Sequence, residues 1–282
     1  VITIIIVVYI SDKLYYESLA SSRESTGYKI IAKLNIKSRG IFSVFVKDIK
    51  IFFRDTGQWS QLLLLLALVI VYLFNIYKLP LDTFFLKSLI SFLNIGLAGF
   101  VLAAVSLRFI YPLVSLEGKS FWLIKAAPFT VKKFLWEKFF IAIIPLIFFG
   151  CLLIGVSNYM LEVEKFLSFL SFATIIFISI TLTGMAVGFG ALFPKFKVEN
   201  ISQIESSVGG MIYMIFSLFY VFLTISLLAI PVRLWFLSRL YNKNVMHPGI
   251  ITVVILSLLA INLVAAFLPM YLGRKNLEAS DV

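Results

Sequence analysis

Few side chains in this chain are equipped for acid–base, nucleophilic or metal chemistry. His247 is the single histidine, and it sits beside Pro248 in a predicted loop. Neither HExxH nor GxSxG occurs, so zinc hydrolysis and a histidine-based triad lack their parts. Cys151 is the one cysteine and lies in an apolar run, where it forms neither an internal disulfide nor a thiolate metal site. Gly118-Lys119-Ser120 has the ending of a phosphate loop of the form GxxxxGK(S/T). Leu113 occupies the required first glycine position, however, and an apolar helix rather than a strand is expected before it. The sequence therefore predicts no enzyme, no cofactor and no metal site in this chain.

The elements that would have to position such groups are themselves apolar. Of the 282 residues, 61% are hydrophobic, 16% aromatic and 14% charged, with a mean hydropathy of +1.03. A soluble domain carries about 25% charged residues, so this chain cannot cover a water-soluble globule of its size. The charges are also unevenly placed. None falls between Asp55 and Lys78, Lys87 and Arg108, Lys138 and Glu162, Lys165 and Lys195, Glu205 and Arg233, or Lys243 and Arg274. Each gap approaches or exceeds the roughly 20 residues that a helix needs to cross a bilayer core.

Six spans are predicted near 58–77, 88–107, 139–157, 168–192, 211–230 and 250–272. Barrel strands alternate polar and apolar residues, and these runs do not. The expected fold class is all-α: a polytopic membrane helix bundle with six spans, an N-terminal partial span and an interfacial helix. Pro145 and Pro269 fall inside spans and should bend them. Asn75, Asn94 and Asn262 are the strongest polar groups there, and interhelical hydrogen bonding is their expected role. No ionisable residue lies near a span centre, so the relay of an ion-coupled carrier is missing. If the bundle moves a substrate, its energy comes from elsewhere.

The chain opens on VITIIIVVYI, which is too short to span alone and has neither the basic start nor the cleavage site of a signal peptide. Residues 1–10 are expected to be the end of a truncated membrane helix, and the chain the C-terminal part of a longer protein. A polar cytoplasmic loop is expected over 11–40. Over 41–56, Phe42, Phe45, Ile49, Phe52 and Phe53 recur at helical spacing opposite Ser43, Lys47, Lys50 and Arg54. That pattern predicts a helix lying in the membrane interface; a half-buried helix of a soluble insert is the alternative. A six-span domain over 57–273 and a cytoplasmic tail, 274–282, complete the expected organisation.

The net charge of +11, from 25 basic and 14 acidic residues, is assigned to loops facing anionic lipid rather than to nucleic acid. With 11–56 placed inside, 19 of the 25 Lys and Arg residues fall on the cytoplasmic side. The C-terminus is then cytoplasmic.

The loop 108–138 reads RFIYPLVSLEGKSFWLIKAAPFTVKKFLWEK. Phe121, Trp122, Leu123 and Ile124 form an apolar block flanked by Lys119 and Lys125, and Thr130 is placed to cap the following helix. Such a block either docks into a groove of a partner protein or lies on the lipid surface. Gly184 and Gly188 form a GxxxG pattern that allows close helix approach. The stretch 231–249, with Arg233, Trp235, Phe236, Arg239 and Tyr241, is expected to be an interfacial or re-entrant segment at the outer surface.

The order of interfacial helix, two spans, basic cytoplasmic loop and four spans resembles the membrane subunit of type-2 ABC exporters. The strings VKDIKIFFRDTGQWSQLLLL, RFIYPLVSLEGKSFWLIKAAPFTVKKFLWEKF and LFPKFKVENISQIESSVGGMIYMI are similar to a bacterial family of ABC exporter permeases. The similarity runs from about Tyr15 to the C-terminus. Within the third string, Ser206-Ser207-Val208-Gly209-Gly210 only faintly echoes the ABC ATPase signature.

The resemblance implies a permease in the bacterial plasma membrane whose partner is a separate ATP-hydrolysing subunit. It also implies a preceding membrane half or a second permease copy. By that analogy Phe42–Arg54 is the elbow helix, and Glu117, Gly118, Lys119, Phe121, Trp122 and Lys125 lie in the ATPase-coupling loop. A membrane scaffold or sensor, or a lipid-modifying enzyme, are the competing readings.

Overall fold

The computed structural model describes residues 56–78, 84–121, 130–196, 201–241 and 248–279. The expected partial span, the 11–40 loop and the interfacial helix with Phe42, Phe45, Lys47, Lys50, Phe52 and Arg54 lie outside them. So do Trp122, Lys125 and His247. Among the described residues there is no strand. The helices are α1 Thr56–Tyr77, α2 Phe84–Phe109, α3 Val131–Met160, α4 Lys165–Leu192, the short α5 Ile201–Glu205, α6 Val208–Tyr241 and α7 Pro248–Ala279. Two 3-10 turns, Tyr111–Leu113 and Ser115–Ser120, follow α2.

Each of the six predicted spans falls on a helix. Among the described residues α2, α3, α4, α6 and α7 are long and apolar enough to cross a membrane, while in α1 the apolar stretch is the shorter Leu65–Ile76. Three helices outrun their apolar cores. α3 starts at Val131, where Thr130 Oγ1 accepts the Lys133 N–H at 3.4 Å as an N-cap. α7 continues through Ala279, into the expected tail.

α6 continues through Pro231 to Tyr241, so most of the expected outer segment is a helix end. The reason is packing. Trp235 is buried and stacks on Phe166 with centroids 5.3 Å apart, which holds the helix together beyond its apolar run.

α4 is the centre of the bundle and packs against α2, α3, α6 and α7. Every residue from Thr181 to Ala191 is buried. The run is rich in Gly, Ala and Thr, which let neighbouring backbones come close where water supplies no driving force. A Cβ on Gly184 would stand 3.0 Å from Ala266, and one on Gly188 would overlap the backbone at Pro269 and Met270. The glycine pair is thus the contact surface for α7, only 11% of whose apolar window is buried.

The apolar core is divided. The main cluster includes Leu102, Tyr111, Phe134, Ile178, Leu182 and Tyr213. A smaller one joins Phe92 and Ile95 of α2, Leu167 of α4, and Leu228, Val232 and Trp235 of α6.

Candidate functional site

The helices bring two sets of residues to opposite ends of the bundle. At one end meet the last turn of α2, the first of α3, and the C-terminal ends of α4 and α7, carrying Arg108, Lys132, Lys133, Lys195, Arg274 and Lys275. This is the basic end. The other, here the far end, carries the turn between α3 and α4 together with the start of α2 and the end of α6.

At the basic end the chain leaving α2 turns inward instead of outward. Tyr111, Pro112, Val114, Ser115 and Glu117 are all buried. Tyr111 stacks on Tyr213 at 5.8 Å, and its hydroxyl shares a hydrogen bond of 3.3 Å with the Ser207 Oγ. Tyr213 in turn hydrogen-bonds Ser106 of α2. Gly190 of α4 and Gly209 of α6 provide the space for Tyr111, since a Cβ on either would strike its carbonyl or hydroxyl oxygen. Ser115 Oγ accepts the Lys195 N–H at 3.1 Å, which ties the segment to the end of α4. Asn276 of α7 donates to the Leu192 carbonyl at 3.0 Å and so satisfies a terminal acceptor of the same helix.

Glu117 makes the strongest tie. Lys138 Nζ of α3 lies 2.6 Å from its Oε1, with the two side chains only 2% and 5% exposed. The Lys138 ammonium also sits 5.4 Å from the centre of the Phe134 ring. In a low-dielectric site such a pair roughly offsets its own desolvation, but removing one member takes the nearest counter-charge from a buried partner.

The next residue, Gly118, has φ +51° and ψ −132°, a conformation that penalises any side chain. The chain turns there and delivers Phe121 into the core. Its ring stacks on Phe196 at 4.8 Å and meets Phe134 edge-on at 5.9 Å.

Among the coupling-loop residues named from sequence, Glu117 and Phe121 therefore point inward as anchors. The loop's apolar block does not include Phe121 as a surface group, because its ring is fully buried. Leu116 is the exposed apolar side chain of the segment. Gly118-Lys119-Ser120 lies in a 3-10 turn after a helix, which is not the strand–loop–helix setting of a phosphate loop.

Sequence reasoning passed over Tyr111, Ser115, Lys138 and Tyr213. The signal available was the pair of charges Glu137 and Lys138, set between Phe134, Leu135 and Trp136 on one side and Phe139 and Phe140 on the other.

The far end is built differently. Lys87 Nζ of α2 lies 2.6 Å from Glu162 Oε2, and Arg239 of α6 lies 3.5 Å from Glu164 Oε1. Both carboxylates belong to the turn between α3 and α4. Glu162 is 77% exposed and holds φ 50°, a left-handed value that is uncommon for a non-glycine residue. The hydrogen bond and charge of Lys87 hold its carboxyl below the usual carboxylate range.

Beneath this rim runs a polar seam. Tyr72 of α1 donates to the Asn94 carbonyl oxygen, and Asn94 Nδ2 donates to Ser157 Oγ of α3 at 2.6 Å. Asn158 Nδ2 donates to Ser171 Oγ of α4 at 2.8 Å and to Ser168 Oγ at 3.3 Å.

Asn262 of α7 makes a separate link, its Oδ1 accepting from Thr181 of α4 at 2.7 Å and from Tyr220 of α6 at 2.6 Å. Asn75 Nδ2 donates within its own helix, to the Val71 carbonyl. No group of three or more His, Cys, Asp or Glu side chains able to hold a metal occurs among the described residues.

A family model described as "Putative ATP-binding cassette" matches residues 1–282, the whole chain. No curated protein and no solved structure matches it.

Proposed function

The chain belongs to this ATP-binding cassette family, and on that premise we propose that it is the membrane permease component of an ATP-driven exporter. ATP is bound and hydrolysed on a partner subunit, and this chain itself performs no catalysis. The basic end faces the cytoplasm of a bacterial cell, the bundle crosses the plasma membrane several times, and the C-terminus is cytoplasmic. A preceding membrane half or a second permease copy completes the pathway.

The observation that carries this reading is the inward-turned segment Tyr111–Phe121. It is fastened to α3 by Glu117–Lys138, to α4 through Ser115 and Gly190, and to α6 through the Tyr111–Tyr213 stack. A push on the neighbouring loop would reach all three helices at once. Such a push shifts the bundle only if the partner binds its two conformations unequally. The absence of ionisable residues near the span centres in the sequence supports an external energy source.

The test is purification of the protein from its native membrane. An ATPase bearing GxxxxGK(S/T) should accompany it and hydrolyse ATP faster when the permease is present. Copurification without any stimulation points instead to a scaffold or sensor. Turnover of lipid with no ATPase present points to a membrane enzyme.

A further inference from the structure

We infer that the groove between α3 and α7 at the basic end holds an anionic phospholipid. Its phosphate would sit on Lys132, Lys133 and Arg274, and its acyl chains on the apolar side chains below them. The two helices touch where the Trp136 and Phe267 rings lie 6.0 Å apart. α3 begins and α7 ends at this end of the bundle, so steps toward it run backward along α3 and forward along α7. One turn back from Trp136 stand Lys132 and Lys133, both exposed. One and two turns on from Phe267 stand Tyr271 and Arg274. Helical spacing gathers these four above the ring contact.

The flank they occupy is not the one that packs. α7 turns Ala266, Pro269, Met270 and Gly273 to Gly184 and Gly188 of α4. Phe267 and Tyr271 stay exposed beside that contact.

Charge selects the occupant. Among the described residues no carboxylate pairs with Lys132 or Lys133, and the one acid of this flank, Glu278, lies 2.7 Å from Arg274. Three bases thus face one acid. A second copy of this chain, at net charge +11, would bring more of the same sign. Beneath the bases the exposed surface is apolar, with Phe140 and Ile144 on α3 and Val264 on α7. A ligand that is negative at one end and hydrocarbon at the other fits both halves, and an anionic phospholipid of the facing leaflet is that ligand. Basic pockets between transmembrane helices recognise such headgroups, and the amphipathic Tyr271 ring suits headgroup depth. Once bound, the lipid bridges α3 to α7, whose apolar window is only 11% buried by the rest of the bundle.

The site needs only a bundle standing in a membrane. Failure to copurify with an ATPase would overturn the permease reading and leave the lipid site untouched.

The experiment places the full chain in phosphatidylcholine nanodiscs and adds phosphatidylglycerol or phosphatidylcholine brominated near the glycerol end of its acyl chains. The quenching lost in Trp136→Phe reports lipid at the groove. It should reach half its maximum at a phosphatidylglycerol fraction about tenfold below that for phosphatidylcholine. Lys132→Gln combined with Lys133→Gln should remove the difference, and Lys132→Arg combined with Lys133→Arg should keep it. Inorganic phosphate in the buffer should displace nothing.

Equal curves for the two lipids, a preference indifferent to the glutamine pair, or a preference that persists in Trp136→Phe overturns the inference. Displacement by inorganic phosphate does so too, since the groove would then bind a free anion. If the glutamine pair fails to fold, the unsubstituted chain decides the matter. Raised salt should weaken the phosphatidylglycerol curve and leave the phosphatidylcholine curve in place, and a salt-indifferent preference overturns the inference.

Discussion

The two ends of the bundle solve the same problem, holding helices together where they leave the membrane, with opposite means. At the basic end the ties are buried: an ion pair sealed from solvent, a tyrosine stack, and glycines that admit a neighbour's backbone. At the far end they are ion pairs that each join an exposed side chain to a half-buried one, over a buried hydrogen-bonded seam and a small apolar cluster. Buried ties are costly to break singly, and exposed ones are cheap to make and unmake.

Substitutions should separate the ends by magnitude. The largest loss is expected for Glu117→Ala or Lys138→Ala, about 3–5 kcal/mol, because a buried charge loses its counter-charge at 2.6 Å. Thermal unfolding in detergent, followed by size-exclusion profile, measures it. Glu117→Leu with Lys138→Leu should recover most of that loss, and no recovery would mean the two residues act separately. A coupling test at Glu117 consequently needs its folded fraction measured alongside activity.

Gly188→Ala should cost about 1–3 kcal/mol by forcing α7 away from α4, with Gly184→Ala milder because its neighbours stand at 3.0 Å. Asn276→Ala, which strips a donor from the end of α4, should lower stability by about 0.5–1.5 kcal/mol.

The smallest effect belongs to the far end. Glu162→Gln should leave the unfolding midpoint unchanged at neutral pH within error. The folded-state pKa of Glu162 is lowered by Lys87, so its contribution is present above the ordinary carboxylate pKa. It fades as pH falls through the lowered value, and a weak acid-side slope in stability should therefore disappear in Glu162→Gln. A midpoint drop as large as that of Glu117→Ala would erase the contrast between the ends.

The architecture could be read from charge spacing, because a bilayer demands long uncharged helices and leaves few alternatives. Close helix approach at Gly184 and Gly188 is also legible, since small residues four apart mark it, whereas α7 as the neighbour emerges only from the packing. Helix ends were harder. Trp235, Phe236 and Arg239 have the composition of an interface, and only their packing against Phe166 and Glu164 identifies a helix that continues.

At the basic end, Glu117 and Phe121 carry no sign of burial in their own stretch of sequence, and only Lys138, 21 residues after Glu117, reveals the pair. Contacts of that range leave no local periodicity to detect.

The Glu117–Lys138 pair also sets an order of assembly. Glu117 emerges from the translating ribosome before its lysine exists and must stay hydrated at the membrane surface until α3 begins to form. Burial of that stretch therefore waits on synthesis of residue 138, so α2 and the start of α3 are expected to settle as a unit. α4 would then be threaded against a surface already in place.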